Sequence, residues 1–286
     1  MHDFLPEWHR PCFAGAGVTT EEDMSRIHHL ALLATATALA TPASASVIEW
    51  GYSITSEFTA ATPTGGGPGF SFGPLEISWG DPAGSTALGG GRSAISISDS
   101  PAAGSVFTGG AAAMANSYAH TNNVVSSDFP LLDNAMLDIT IALSALDPAG
   151  GDVDPFTLSF GIDFIETDND PAGGICADGS AVGSFGPGCV DIFVISLGDL
   201  TRMFEFDGET YVFSLFEPGG EFGALSDGAC AAAGVSPGCV GFLTSEGVVN
   251  SATFAFTIER IPEPAVLGLF GLGLIGIGLS RRRTAA

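Results

Sequence analysis

The chain has 286 residues, with 32 acidic residues against eight basic ones, and its formal net charge is −24 at pH 7. It contains no lysine, and residues 47–260 hold 26 acids beside only three arginines. Such an acidic surface repels nucleic acid and anionic lipid, so the composition excludes a phosphate-binding role. We therefore expect no nucleic-acid partner.

The first 45 residues combine an acidic leader with the pattern of a secretory signal peptide. A weakly basic start is followed by an apolar core at residues 30–39, and Ala43-Ser44-Ala45 supplies small residues for cleavage. We predict a signal peptide at residues 24–45. It would direct the chain to the Sec machinery for export, and signal peptidase would then remove it. Residues 1–23 carry five acids and one arginine, the wrong charge for the start of a signal peptide. We interpret them as an over-extended start of the reading frame, with a genuine N-terminal extension as the alternative.

Residues 46–260 form the predicted body, which is long enough to bury a sizeable core. Apolar and polar residues alternate there with the period of two that is typical of half-buried strands. The strand-like runs, separated by turns rich in Gly, Pro, Asp and Ser, are residues 47–58, 75–79, 94–98, 136–143, 157–164, 191–197, 203–206, 211–215 and 253–259. A helix-like patch at residues 111–115 is too short to count. The pattern predicts an all-β body, an antiparallel β-sandwich.

One histidine of the body stands out, because Tyr118, His120 and Asn122 would share one face of a strand. A histidine beside an asparagine is able to bind a sugar hydroxyl or a cation. His120 and Asn122 are thus candidate ligand-binding residues of a carbohydrate-binding module, with Trp50 or Trp79 as an exposed aromatic contact. The alternative is a half-buried hydrogen-bonded pair that fixes a loop.

The densest acidic run offers a second candidate site. Asp163, Glu166, Asp168 and Asp170 present alternating carboxylates at a strand end, and calcium takes six to eight oxygen ligands. The run lacks the spacing of an EF-hand loop, and a solvated turn at the end of the strand is the simpler interpretation. We expect no cofactor, with calcium at these four residues as the alternative.

Four cysteines lie in the body, and an even number behind a signal peptide indicates two disulfides. Two similar segments recur, in each of which a loop of small residues leads through a Pro-Gly turn to the second cysteine. This repetition favours local pairing, Cys176 with Cys189 and Cys230 with Cys239, among the three connectivities that four cysteines permit. A zinc site is the rival interpretation, but it needs closer cysteine spacing or added histidines, and no histidine follows His120.

Catalytic motifs are missing from the sequence. It has no G-x-S-x-G elbow, no H-E-x-x-H and no P-loop. A glycosidase needs only two carboxylates, but any acidic β-protein would meet that condition. We expect a protein that is not an enzyme, and a secreted hydrolase is the alternative.

Residues 261–286 contain, in this order, a turn, an apolar segment that would form a helix, and a cluster of arginines. The uncharged apolar run at residues 265–279 would span roughly 22 Å as a helix, against a bilayer core of about 30 Å. We predict a short C-terminal transmembrane helix with the arginines on the cytoplasmic side. We interpret the tail as an address that is later removed. A plain membrane anchor that stays in the mature protein is the alternative. The apolar run is preceded by Pro262, Glu263 and Pro264 and is followed by Arg281, Arg282 and Arg283.

This tail resembles the PEP-CTERM sorting signal of Gram-negative bacteria. In that family the Pro-Glu-Pro triplet is taken to be recognised by an exosortase, a membrane transpeptidase that cuts near the triplet and removes the helix. The resemblance implies that an exosortase is a partner of this chain and that the triplet is bound rather than catalytic. It also implies transient residence in the inner membrane, followed by delivery to the cell surface or an extracellular polysaccharide.

The body resembles the THxN family of PEP-CTERM proteins over roughly residues 47–260. His120 and Asn122 match the family's Thr-His-x-Asn motif, whereas Ala119 stands in the place of its threonine. The resemblance brings no known activity with it. Together these features predict an exported protein with a structural or adhesive role in an exopolysaccharide matrix or biofilm, and the carbohydrate-binding module is the alternative.

Overall fold

A computed structural model of the protein describes residues 46–81, 91–196, 198, 200–262 and 273. The predicted signal peptide and the leader before it lie outside these residues, as do Glu263, Pro264, the predicted C-terminal transmembrane helix at residues 265–279 apart from Gly273, and the three arginines of the tail. Within the described residues, none of the helices has the length and apolar character needed to cross a bilayer.

The body is built from antiparallel strands of two to 16 residues and, among its described residues, one short helix. The strands are β1 (Glu49–Pro63), β2 (Ser71–Phe72), β3 (Glu76–Trp79), β4 (Ser93–Ser98), β5 (Ala102–Phe107), β6 (Ala113–Thr121), β7 (Leu132–Asp147), β8 (Phe156–Ile165), β9 (Asp191–Ser196), β10 (Thr201–Phe206), β11 (Glu209–Phe216), β12 (Gly223–Ala224), β13 (Val240–Thr244) and β14 (Val249–Ile261). The helix, α1, spans Asp227–Ala232 between β12 and β13.

The strands form two curled, antiparallel sheets of seven strands each, arranged like a sandwich. Sheet A has the order β12-β13-β9-β8-β7-β1-β5, and sheet B has the order β10-β11-β14-β6-β4-β3-β2. The prediction of an all-β antiparallel sandwich is confirmed.

The alternation along β7 shows how the sequence produces this fold. Every second side chain from Ala135 to Ala145 is buried, and the side chains between them are partly or fully exposed. Successive strand residues point to opposite faces, so one face of β7 packs on the core and the other meets solvent. The prediction for residues 136–143 located the middle of this strand, which extends further at both ends.

Aromatic rings fill the space between the sheets at both ends of sheet A. At one end Trp50 stands edge-on to Tyr211, with ring centroids 5.0 Å apart, and at the other end Trp79 stacks on His120 at 5.7 Å. Both tryptophans are 0% exposed. The expectation that Trp50 or Trp79 forms an exposed aromatic contact is therefore wrong, because both rings belong to the core.

Both predicted disulfides are present, and each one closes a loop just before a strand. Cys176–Cys189 lies in the connection from β8 to β9, and Cys230–Cys239 lies in the connection that carries α1. The Cα atoms are 5.6 and 5.7 Å apart, within the usual range. The hydroxyl of Ser226, the N-cap of α1, donates to the carbonyl oxygen of Asp178 at 3.1 Å, which joins the two loops.

We predict that Cys176→Ser with Cys189→Ser lowers the free energy of unfolding by about 3 kcal/mol, because a disulfide closing a loop of this size restricts the unfolded chain by roughly that amount. Urea unfolding of the exported protein, followed by tryptophan fluorescence, measures the change. Cys230→Ser with Cys239→Ser serves as the comparison and should cost slightly less, since its loop is shorter. Free thiols at any of the four positions in the unaltered protein would contradict the pairing.

Candidate functional site

Three acidic residues that are distant in sequence meet at one end of sheet A. Glu166 follows the last residue of β8, Asp191 is the first residue of β9, and Glu246 lies two residues beyond the end of β13. In the sheet, β9 lies between β8 and β13, and Asp191 faces Thr244 across the β9–β13 pairing. The register of three neighbouring strands therefore brings the acids to one corner of the sandwich.

The carboxyl groups of these acids form a tight cluster. One oxygen from each residue lies within 4.8 Å of the corresponding oxygens of the other two. Asp191 is 0% exposed and Glu246 is 5% exposed, whereas Glu166 is only partly buried. We call Glu166, Asp191 and Glu246 the carboxylate cluster.

A neutral donor orients each carboxylate of the cluster. These hydrogen bonds run from Trp79 Nε1 to Glu166 Oε2 (3.0 Å), from the Thr167 backbone N–H to Asp191 Oδ1 (2.8 Å), and from Asn169 Nδ2 to Glu246 Oε1 (2.7 Å). The other oxygens of the two most buried acids, Asp191 Oδ2 and Glu246 Oε2, have no hydrogen-bond partner among the residues that the structure describes. Each of these two carboxylates thus has one oxygen held and one free.

Sheet B contributes an asparagine and a histidine to the same corner. Asn122 Nδ2 donates to the Thr244 carbonyl oxygen at 3.2 Å, and its amide also lies against the Asp191 carboxylate. Asn122 Oδ1 is buried without a partner among the described residues. His120 Nδ1 lies 3.1 Å from the hydroxyl of Thr244. His120 and Asn122, the two predicted ligand-binding residues, therefore both make polar contacts with Thr244 on the opposite sheet.

The backbone of Asn122 also holds the loop that carries Glu246. The Gly247 N–H donates to the Asn122 carbonyl oxygen, and the Asn122 N–H donates to the Val248 carbonyl oxygen, each at 3.0 Å. These two hydrogen bonds extend the β6–β14 pairing beyond the end of β6. The loop between β13 and β14 is therefore fixed at both sheets.

Burial dominates the electrostatics of the cluster. It raises the pKa of Asp191, Glu166 and Glu246, and mutual repulsion raises the pKa of the first two further. Hydrogen bonds from the backbone and the hydroxyl of Thr167 offset part of this rise in the pKa of Asp191. Burial and mutual repulsion therefore favour the protonated, neutral form of these carboxyl groups.

Within the described part of the chain, the arginines that make polar contacts make them with groups other than the carboxylates of the cluster. Arg92 donates to the Ser78 carbonyl oxygen at 2.8 Å, and Arg260 pairs with Glu209 at 3.4 Å. Arg202 lies on β10, the edge strand of sheet B, whereas β8, β9 and β13, which lead to the cluster, belong to sheet A. Among the described residues, the cluster is thus not paired with an arginine.

His120 sits in an apolar setting. It is 2% exposed, and Asn122 is 1% exposed. Burial lowers the pKa of His120 to about 3, so the imidazole is neutral at physiological pH. It also borders an apolar cavity between the sheets that is lined by Phe160, Phe193 and Phe254 among others. A ligand of His120 or Asn122 would have to enter the interior.

The predicted calcium candidates are separated in the structure. Asp163 lies within β8, and Asp168 and Asp170 are exposed in a turn where the Asp170 N–H donates to Asp168 Oδ1 at 3.0 Å. Glu166 alone of the four joins the cluster. Its partners Asp191 and Glu246 were missed. The one available signal was an acid placed directly before the apolar run of β9.

The geometry defines a disulfide-stapled β-sandwich with a buried acidic corner. In comparisons with known proteins, residues 260–283 match the PEP-CTERM protein-sorting motif. No curated protein matches the chain at a significant level. The motif implies an exported protein that an exosortase sorts and processes, and the two disulfides agree with export.

We predict that Thr244→Val lowers the free energy of unfolding by about 1–3 kcal/mol, because it leaves His120 Nδ1 buried without its partner while keeping the side-chain shape. Chemical denaturation measures the loss. Thr140→Val is the matched control, since its hydroxyl pairs with Thr157 on the exposed face of a strand, and its change should stay within about 0.5 kcal/mol. Equal effects of the two substitutions would remove the special role of Thr244.

Proposed function

We propose that this protein is a non-enzymatic component of the cell surface or of an extracellular polysaccharide matrix, with a structural or adhesive role. The observation that carries the proposal is the sorting motif at residues 260–283. An exosortase substrate is released from its membrane helix after export. Its folded body is then the part that works outside the cell.

The position of the motif supports this proposal. It begins inside β14, which lies between β11 and β6 in sheet B, and Pro262 directly follows the end of that strand. No flexible linker separates the sandwich from the start of the triplet. The folded body would therefore sit against the membrane surface until the tail is cut.

The surface chemistry of the body also suits a polysaccharide matrix. Its acids far outnumber its arginines, which keeps an exported protein soluble and attracts divalent cations loosely. Two disulfides staple loops of the body, and one of them, Cys176–Cys189, lies next to the acidic corner; such bonds persist in oxidising compartments. A stable, acidic and cation-binding sandwich fits a structural role among polyanionic polymers.

We further infer that the body is a THxN-type domain. His120 and Asn122 both contact Thr244, so the two matching residues of the motif share one structural task. Ala119, which stands in the place of the family's threonine, is not needed for these contacts. The motif would then lock the two sheets together at the acidic corner.

A carbohydrate-binding module that uses His120 and Asn122 is the alternative function. The burial of both side chains counts against a direct sugar contact. Glycan arrays with the unaltered protein and with His120→Ala, each first shown to be folded, distinguish the two functions. Saturable binding that disappears in the variant would support the module and contradict a purely structural role.

We predict that Pro262→Ala, Glu263→Ala and Pro264→Ala together leave the C-terminal peptide attached and keep the protein in the membrane fraction, because the exosortase no longer recognises the triplet. Fractionation and mass spectrometry of the host's exported proteins give the readout. Glu259→Ala is the control, an exposed residue of β14 just before the motif, and should be processed normally. Processing of the triple variant at the normal level would contradict the sorting role.

A further inference from the structure

We propose that Glu166, Asp191 and Glu246 bind one calcium ion through a carboxylate oxygen each, with Asn122 Oδ1 as a fourth oxygen ligand. This site differs from the acidic run at residues 163–170, which shares only Glu166 with it. It is also independent of the export route, since it belongs to the folded body alone. The argument rests on geometry, on unpaired buried oxygens and on the shell around them.

The spacing of the three carboxylates fits a single ion. Calcium binds oxygen at about 2.3–2.6 Å, so two oxygens on the same ion lie at most about 5 Å apart. In the cluster, one oxygen from each of the three carboxylates lies within 4.8 Å of the other two. One ion between them therefore reaches all three without any rearrangement of the strands.

Unpaired oxygens give the second, independent observation. Asp191 Oδ2, Glu246 Oε2 and Asn122 Oδ1 are all buried without a hydrogen-bond partner among the described residues. Buried polar atoms in native proteins are almost always paired, because an unpaired one loses its hydration without compensation. Three such atoms on neighbouring side chains are accounted for together by one cation that accepts electron pairs from each.

The cluster also has the surrounding shell that metal sites require. Trp79, Thr167 and Asn169 each donate to one carboxylate oxygen and leave the second oxygen of that carboxylate available to an ion. Groups of this kind fix the ligands of a metal and raise its affinity. The arrangement thus resembles a site in which the ligands are set before the ion arrives.

The first disulfide loop holds part of this shell in place. The Cys189 N–H donates to Asn169 Oδ1 at 3.1 Å, and Asn169 in turn donates to Glu246. Gly188 has φ +75°, and a Cβ atom at that position would collide with Asn169 Oδ1. Gly188, in the Pro-Gly turn before Cys189, is therefore required for two reasons: its positive φ and the close approach of the Asn169 side chain.

The ligand set favours calcium over other common ions. All of the proposed ligand atoms are oxygens, whereas zinc sites are dominated by cysteine sulfur and histidine nitrogen. His120 is not part of the cluster, although its Nε2 is also buried without a partner among the described residues. Magnesium demands a near-ideal octahedron and keeps several waters. Calcium tolerates irregular geometry, and the partly exposed Glu166 leaves one side open for water to complete its shell.

Terbium, a luminescent substitute for calcium, provides a sharp test because the Trp79 indole bonds directly to Glu166. Titration of the chelator-treated exported protein with Tb³⁺ should give indole-sensitised emission that saturates at one ion and is displaced by Ca²⁺. Trp79→Phe should lose most of this emission and should also bind Ca²⁺ more weakly, because it removes both the indole and the donor to Glu166. Trp50→Phe should emit normally, because Trp50 lies at the opposite end of sheet A.

Charge-removing variants locate the ion. Asp191→Asn and Glu246→Gln keep the side-chain volume, and each should weaken Ca²⁺ binding by at least about tenfold. Asp170→Asn removes the same charge from the neighbouring exposed turn and should bind as the unaltered protein does. The proposal is overturned if the folded, unaltered protein gives no sensitised emission, if Asp191→Asn and Glu246→Gln bind normally, or if Asp170→Asn weakens binding as much as they do.

Discussion

Three carboxyl groups buried at one corner of the sandwich impose the main constraint on this structure. Glu166, Asp191 and Glu246 share a space in which each one raises the cost of ionising the others. The chain has no lysine with which to neutralise them. Neutral donors from Trp79, Thr167 and Asn169 hold the carboxylates in place instead. The polar residues around the cluster are therefore neutral donors that hold these carboxylates close together.

The same corner joins the parts of the fold that are otherwise separate. Thr244 of sheet A contacts His120 and Asn122 of sheet B, and the Cys176–Cys189 loop supplies the backbone donor that positions Asn169. Strand register, disulfide and polar contacts therefore converge on one place. An exported protein meets the two conditions that such a corner needs, since oxidising surroundings form the disulfides and extracellular fluid supplies divalent cations.

The sequence was sufficient for the fold class because period-two alternation is strong in long central strands such as β7 and β8. It was not sufficient for β5 or β13, whose short stretches contain glycine and bury few side chains. The six-residue helix α1 depends on its Ser226 cap and a disulfide rather than on helical periodicity. The residues at 111–115, which resembled a helix, lead instead into β6.

Prediction of the site was partial for a related reason. His120, Asn122 and Glu166 were recognisable as unusual polar residues beside strands, but their partners were not. Asp191 and Glu246 approach Glu166 only because β9 pairs with both β8 and β13, and sequence periodicity does not reveal which strands are neighbours. The prediction that Trp50 or Trp79 is exposed was wrong because the alternation of apolar and polar residues did not show that both tryptophan side chains lie in the core.

A crystal structure of the exported protein grown with calcium, with the ion located by anomalous scattering, tests the central claim most directly. We predict one ion at the corner, bound at about 2.4 Å by oxygens of Glu166, Asp191, Glu246 and Asn122. Carboxyl groups that bond only to one another and to water, with calcium found solely on the outer surface, would contradict the account.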